Sequence, residues 1–243
     1  MEKTVALFIP CFVDQLMPQV GLDTVKVLRR AGWRVEFPEE QTCCGQPAFN
    51  SGFFGEAKPC AERFIRVFAP YQHIVCPSGS CTAMVRKEYP ELLKGTQVES
   101  QVLDVISRVN ELSEFLVNVA KVTDVGSRFP HSVTYHASCH ATRLLNIREE
   151  PRLLLRNVKD LELREMGHSD ECCGFGGTFS LKMGAISAAM ADNKAEFVEA
   201  TGAEFVTSID PSCLMHLDGV LRKKQSPVKT IHLASILASE AQQ

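Results

Sequence analysis

Two adjacent cysteines followed by glycine occur twice in this chain, as Cys43-Cys44-Gly45 and Cys172-Cys173-Gly174. Each pair sits between one upstream and one downstream cysteine. In the first copy 31 residues separate Cys11 from Cys43, and 35 separate Gly45 from Cys81. In the second, 32 residues separate Cys139 from Cys172, and 38 separate Gly174 from Cys213. Eight of the ten cysteines therefore form two sets of four. Four thiolates are what zinc or an iron–sulfur cluster takes from a protein. Structural zinc usually uses Cys-x-x-Cys pairs, and neither half contains one. Side-by-side thiols point in divergent directions, which suits several irons of one cluster better than a single small ion. Iron–sulfur is the leading reading and zinc the alternative. The glycine that ends each pair has no Cβ and can take φ > 0, which turns the backbone sharply and brings N–H groups towards sulfur.

Cys76 and His216 are further candidate ligands. Cys76 precedes Cys81 by five residues, but its counterpart is Ser208, so a buried strand cysteine is the competing account. His216 stands one helical turn after Cys213, where the first half has Met84. His136 and His140 flank Cys139 and could hydrogen-bond to a centre or carry a proton. Cys60 falls inside a helical pattern and reads as core. The run Gly174-Phe175-Gly176-Gly177 lacks the spacing and the lysine of a phosphate loop, and reads as backbone packed against the centre.

The elements that must hold these residues also repeat, at an offset of about 130 residues. Strands are expected at Thr4 to Ile9 and Ser132 to His136 before the first cysteines, and at Arg34 to Phe37 and Lys159 to Arg164 before each pair. Helices follow, from about Gly55 to Phe68 and from about Leu181 to Ala200. The second should present Ile186, Ala189, Met190, Asn193 and Phe197 along one side. Third strands, His73 to Cys76 and Glu204 to Ser208, run into Cys81 and Cys213. Each half then closes on an apolar segment: Val102, Val105, Ile106, Val109 and Leu112 at helical spacing, and Ile231 to Leu237. Alternating strand and helix patterns imply an α/β fold with parallel sheets. The repeat implies two similar domains, residues 1–125 and 126–243, related by a pseudo-two-fold axis and joined near Lys121 to His131. Cys11, Cys81, Cys139 and Cys213 would lie beyond the carboxyl ends of strands, where such sheets gather their sites.

The 45% hydrophobic content is enough for a real core, and the net charge of -3 gives no footprint for nucleic acid. No run approaches the ~18 apolar residues of a membrane span. The chain reads as cytoplasmic, and in that reducing compartment cysteines are metal ligands or redox thiols before they are disulfides.

These motifs resemble the cysteine-rich CCG domain family, which includes a component of heterodisulfide reductase, the glycolate oxidase iron–sulfur subunit and the lactate-utilization protein A group. The wording of Ile9-Pro10-Cys11-Phe12-Val13-Asp14 and Cys76-Pro77-Ser78-Gly79-Ser80-Cys81, with two bare repeats, is most similar to the last group. The resemblance implies two [4Fe–4S] clusters on Cys11, Cys43, Cys44 and Cys81 and on Cys139, Cys172, Cys173 and Cys213. It implies an electron-transfer subunit of a multi-protein system oxidising L-lactate, or a 2-hydroxy acid such as glycolate, to the 2-oxo acid. Its partners would be other iron–sulfur or flavin subunits, and it would not be an autonomous enzyme. The family's fullest motif ends in Cys-x-x-Cys; Met84 and His216 stand there instead, which argues against direct disulfide chemistry. A thiol–disulfide or heterodisulfide reductase and a non-enzymatic zinc-stabilised interaction module are the competing functions.

Overall fold

The computed structural model describes residues 3–240. Each half is built on a four-stranded, all-parallel sheet. The first contains β1 (Thr4–Leu7), β2 (Arg34–Glu36), β3 (Ile74–Cys76) and β4 (Val109–Glu111), in the order β2-β1-β3-β4. The second contains β5 (Ser132–Tyr135), β6 (Glu162–Leu163), β7 (Phe205–Ser208) and β8 (Lys229–His232), in the equivalent order β6-β5-β7-β8. Parallel strands covered on both faces read as unbroken apolar runs. Val5, Ala6 and Leu7 on β1 and Ile74, Val75 and Cys76 on β3 are accordingly all buried. The α/β class and the two similar halves expected from the repeat are both present.

The fourth strand of each sheet departs from the expectation. Val109 does not continue the helix but begins β4, after helix Glu99–Ser107 has ended. Ile231 likewise lies in β8, before helix Leu233–Ala238. These strands are three and four residues long, too short for a period-2 pattern to stand out beside helical neighbours. The expected strand Lys159 to Arg164 shrinks to the two residues of β6, because a turn at Asp160, with φ +62°, separates them from Lys159, which bridges to Arg128.

The long helix of the second half is also corrected. It is split into Thr178–Lys182 and Gly184–Ala200 by the non-helical Met183. Its buried face carries Ser187, Ala191, Lys194, Ala195 and Val198, while Ile186 is exposed. A lysine in the buried stripe displaced the apparent face by one residue. In the first half, helix Phe54–Phe68 buries Phe64, Ile65 and Phe68 as expected.

The two sheets share a core. One apolar cluster joins Val5, Leu7 and Trp33 of the first half to Val133, Leu155 and Leu237 of the second. The closing helices cross over: Leu233–Ala238 packs on Pro18–Arg30, and Leu112–Glu114 packs on Glu150–Arg156. No helix among the described residues is long and apolar enough to cross a membrane.

Candidate metal centres

Each thiol set is assembled from three places beyond the strand ends. Cys11 opens helix Cys11–Leu16 shortly after β1, and Cys139 occupies the same position after β5. Cys81 lies in helix Gly79–Ala83 after β3, and Cys213 in helix Pro211–Lys223 after β7. Both of these helices are capped from within the site. Ser78 Oγ accepts from Cys81 N at 3.4 Å, and Asp210 Oδ1 accepts from Ser212 N at 3.3 Å.

The adjacent pairs sit on tight turns. Gly45 has φ +82° and Gly174 φ +86°. A Cβ on Gly174 would fall 2.6 Å from the Ser187 carbonyl oxygen, and one on Gly45 3.1 Å from that of Ala57. Only glycine fits both the dihedral and the space. The turn aims the glycine N–H back at the first thiol of each pair: Gly45 N lies 3.4 Å from Cys43 Sγ, and Gly174 N 3.4 Å from Cys172 Sγ. The tethers behind the turns differ. Tyr89 donates to the Cys44 carbonyl at 2.9 Å, whereas Ser187 donates to the Gly174 carbonyl at 2.8 Å.

Within each set the thiols touch in the same sequence. Cys11 Sγ is 3.4 Å from Cys43 Sγ, Cys43 meets Cys44, and Cys44 meets Cys81. In the second set Cys139 meets Cys172, Cys172 meets Cys173, and Cys173 meets Cys213. The first cysteine of each pair is the one whose surroundings favour the charged form. Thiols of Cys11 and then Cys44 hold Cys43 down to about 3. Thiols of Cys139 and then Cys173 hold Cys172 down to about 2. Their neighbours move the other way. Cys11 and Cys44 are raised by their contact with the Cys43 thiolate, and Cys139 and Cys173 by theirs with Cys172. For Cys213 the donated Cys173 S–H opposes the shift, but burial and Asp210 raise it. The contacts therefore favour negative charge on Cys43 and Cys172, each of which accepts from two neighbouring thiols and a glycine N–H.

All eight motif cysteines line a single cavity of about 390 Å³, together with Phe12, Phe175, His140 and the Gly176-Gly177 backbone. The repeat alone gave no sign that the two sets face one space. They do so because the halves meet here: Ser80 N donates to Asp210 Oδ2 at 2.7 Å, and Gly79 N to the Ile209 carbonyl at 3.2 Å. Gln46 adds a contact to the Ser80 carbonyl at 3.3 Å and lies 3.5 Å from His140 Nε2.

The remaining candidates take other places. Cys76 is fully buried on β3, with its thiol directed to the Ser78 carbonyl at 3.7 Å. Cys60 is half-buried against the Gly45 turn, outside the apolar cores. His216 Nε2 lies 3.2 Å from Ser187 Oγ, so it supports the residue that tethers Gly174. His140 Nδ1 is 3.7 Å from Cys139 Sγ. His136 is fully buried, with a ring nitrogen within 4.8 Å of both Cys173 Sγ and Cys213 Sγ. Burial, then Lys194, lowers His136 to about 3, so the imidazole is neutral. Lys194 itself went unnoticed in the sequence. Aligning the buried stripes of the two repeated helices would have found it, since it falls opposite Phe64.

Eight clustered thiols form a donor set suited to soft metals, and their clustering points to metal binding. A family model described as CCG, cysteine-rich domain, matches residues 5–86 and 133–218. Lactate utilization protein A of Bacillus pumilus (strain SAFR-032) is 47% identical over 236 residues, covering 97% of this chain and 99% of that protein. The proteins of that name from Halalkalibacterium halodurans and Bacillus subtilis (strain 168) are 47% and 46% identical. They cover 96% and 97% of this chain, and 96% and 99% of their own lengths. Among solved structures, a hypothetical protein from Helicobacter pylori aligns with a TM-score of 0.66 at 12% identity, covering 100% of this chain and 50% of that one. That likeness is one of fold alone.

Proposed function

The chain belongs to the CCG cysteine-rich domain family, and we propose that it is a cytoplasmic iron–sulfur subunit passing electrons in a multi-protein system for lactate utilization. The system would oxidise L-lactate, or a related 2-hydroxy acid such as glycolate, to the 2-oxo acid. The observation that carries this reading is the pair of four-thiol sets, alike in contact order and facing one cavity. The relatives' name supplies the substrate.

Cys11, Cys43, Cys44 and Cys81 would hold one [4Fe–4S] cluster, and Cys139, Cys172, Cys173 and Cys213 the other. The clusters would supply one-electron chemistry. The chain's own residues do the rest. Cys43 and Cys172, whose surroundings favour the thiolate, would bind metal at the least cost in proton release, and the thiols raised beside them would lose protons on binding. The Gly45 and Gly174 amides hold the leading sulfurs in place and withdraw charge from them. Buried Cys44, Cys81, Cys173 and Cys213 keep water from the inner side of each centre. The sequence shows no nicotinamide fingerprint, so substrate oxidation would fall to partner subunits carrying iron–sulfur or flavin groups.

The deciding measurement is iron, zinc and acid-labile sulfide on anaerobically purified protein. About eight iron and eight sulfide per chain are expected. One or two zinc ions without sulfide would make the chain a zinc-stabilised module and end the electron-transfer reading. Full-rate lactate turnover by the isolated chain would end the subunit reading. The shared cavity favours one second function, reduction of a small disulfide at one of the two sets. Under that reading Cys→Ser changes at one motif only would abolish disulfide reduction.

A further inference from the structure

The two halves repeat their backbone but not the side chains that stand behind their thiols. Three residues before Cys11 lies Phe8, fully buried, its ring edge-on to Phe64 at 4.9 Å and to Phe68 at 5.6 Å. Three residues before Cys139 lies His136, just as deeply buried. The counterpart of Phe64 is Lys194. Ala57, Ala61, Phe64, Ile65 and Phe68 form one buried stripe, and Ser187, Ala191, Lys194, Ala195 and Val198 repeat its spacing. An apolar pair behind the first set is therefore an imidazole and an ammonium behind the second.

Lys194 has a partner, since its Nζ donates to the His168 carbonyl at 2.6 Å. His136 has none: both ring nitrogens are buried and make no hydrogen bond. Leaving a buried polar group unpaired costs stability, and phenylalanine in the first half shows that the fold does not need a polar ring here. The position faces metal-binding chemistry. A His136 nitrogen, Cys173 Sγ and Cys213 Sγ all lie within 4.8 Å of one another. The other two histidines near the cavity are already engaged, His140 beside Gln46 and His216 with Ser187.

We propose that His136 is a nitrogen ligand of the second metal centre, taking the place of one of the four thiolates assigned to it above, while the first centre is held by thiolates alone. The proposal rests on the metal-centre reading above. A neutral imidazole in place of a thiolate removes one negative charge from the centre, and such a replacement raises the potential of an iron–sulfur centre. The second centre is then the electron acceptor of the pair, and the repeat has a direction.

The test uses the full chain, reconstituted anaerobically with iron and sulfide, reduced, and examined by pulsed electron paramagnetic resonance. Strong coupling to a nitrogen nucleus is expected, changing to the ¹⁵N pattern when the protein is grown with ¹⁵N-histidine. It should vanish in His136→Gln and survive in His140→Gln and His216→Gln. A coupling that persists in His136→Gln, or is missing from wild type with full iron and sulfide, overturns the ligand and leaves the iron–sulfur reading intact. Zinc uptake without sulfide overturns the iron–sulfur reading instead. X-ray absorption at the zinc edge then decides the ligand: imidazole scattering lost in His136→Gln supports it, and unchanged scattering overturns it. Should His136→Gln fail to fold, the double variant His140→Gln/His216→Gln decides, with a retained histidine signal supporting His136 and a lost one overturning it.

Discussion

At the scale of single residues, Gly45 and Gly174 serve the same turn under different constraints. Both have positive φ, where a Cβ costs about 1–2 kcal/mol. Only Gly174 would also drive that Cβ to 2.6 Å from the Ser187 carbonyl and 2.8 Å from Met190 Cβ. Gly174→Ala should therefore destabilise the chain by more than Gly45→Ala, with the larger loss of metal at its own centre. Thermal midpoints and metal content of the two variants, measured side by side, check this; equal losses would mean that strain alone governs both turns. The eight cysteines and the two glycines were legible in the sequence because their chemistry is local. His136 was visible only as a neighbour of Cys139, and Lys194 was not visible at all. A lysine inside a helix reads as solvated unless its repeat partner, here Phe64, shows that the position is buried.

Elements were legible where their patterns were long and obscure where they were short. The segment from Val102 to Leu112 reads as one helix, yet β4 interrupts it and ends in a buried carboxylate. Glu111 caps helix Leu112–Glu114, accepting from Ser113 N at 2.7 Å and from the Ser113 hydroxyl, while Glu114 answers to the Glu111 amide at 3.4 Å. Glu114 is held in turn by Arg86 at 2.7 Å. Burial raises the Glu111 carboxyl to about 8, against the Ser113 hydrogen bonds that favour its charge, and its Oε1 makes no hydrogen bond. The folded state therefore binds this proton more tightly than the unfolded chain does. Its contribution to stability is complete below the unfolded value of 4.5 and is lost as pH rises through about 8. The loss across that window is on the order of 4 kcal/mol. Glu111→Gln keeps an acceptor for the cap without a charge to bury. Its thermal midpoint should stay level from pH 5 to 8, while wild type falls over the same range. Parallel pH profiles for the two proteins would place the titration elsewhere.

At the scale of the whole molecule, the repeat predicts two domains; each half has an apolar cluster of its own, and a third cluster joins them. The tie is built from crossed closing helices. Arg30 of the first half donates to the Leu237 carbonyl at 3.1 Å and pairs with Glu240 at 2.7 Å, a carboxylate that Lys26 also reaches at 2.7 Å. Asn118 reaches the other way, to Glu150 at 2.9 Å. Pairings across about 200 residues leave no trace in local periodicity, so sequence patterns could not show them. They matter for function because the shared cavity exists only while the halves stay docked. Trp33, the one tryptophan, belongs to the first half and lies in the shared core with Leu237. Leu237→Ala removes buried methyl groups at a cost of about 2–5 kcal/mol. If the halves unfold as one unit, the Trp33 fluorescence midpoint should fall together with the far-ultraviolet dichroism midpoint, and by the same amount. A fluorescence midpoint left behind by the dichroism, or two resolved transitions, would mean that each half stands alone. In that case the common cavity would open and close with the relative motion of the halves, and the separation of the two thiol sets would change with it.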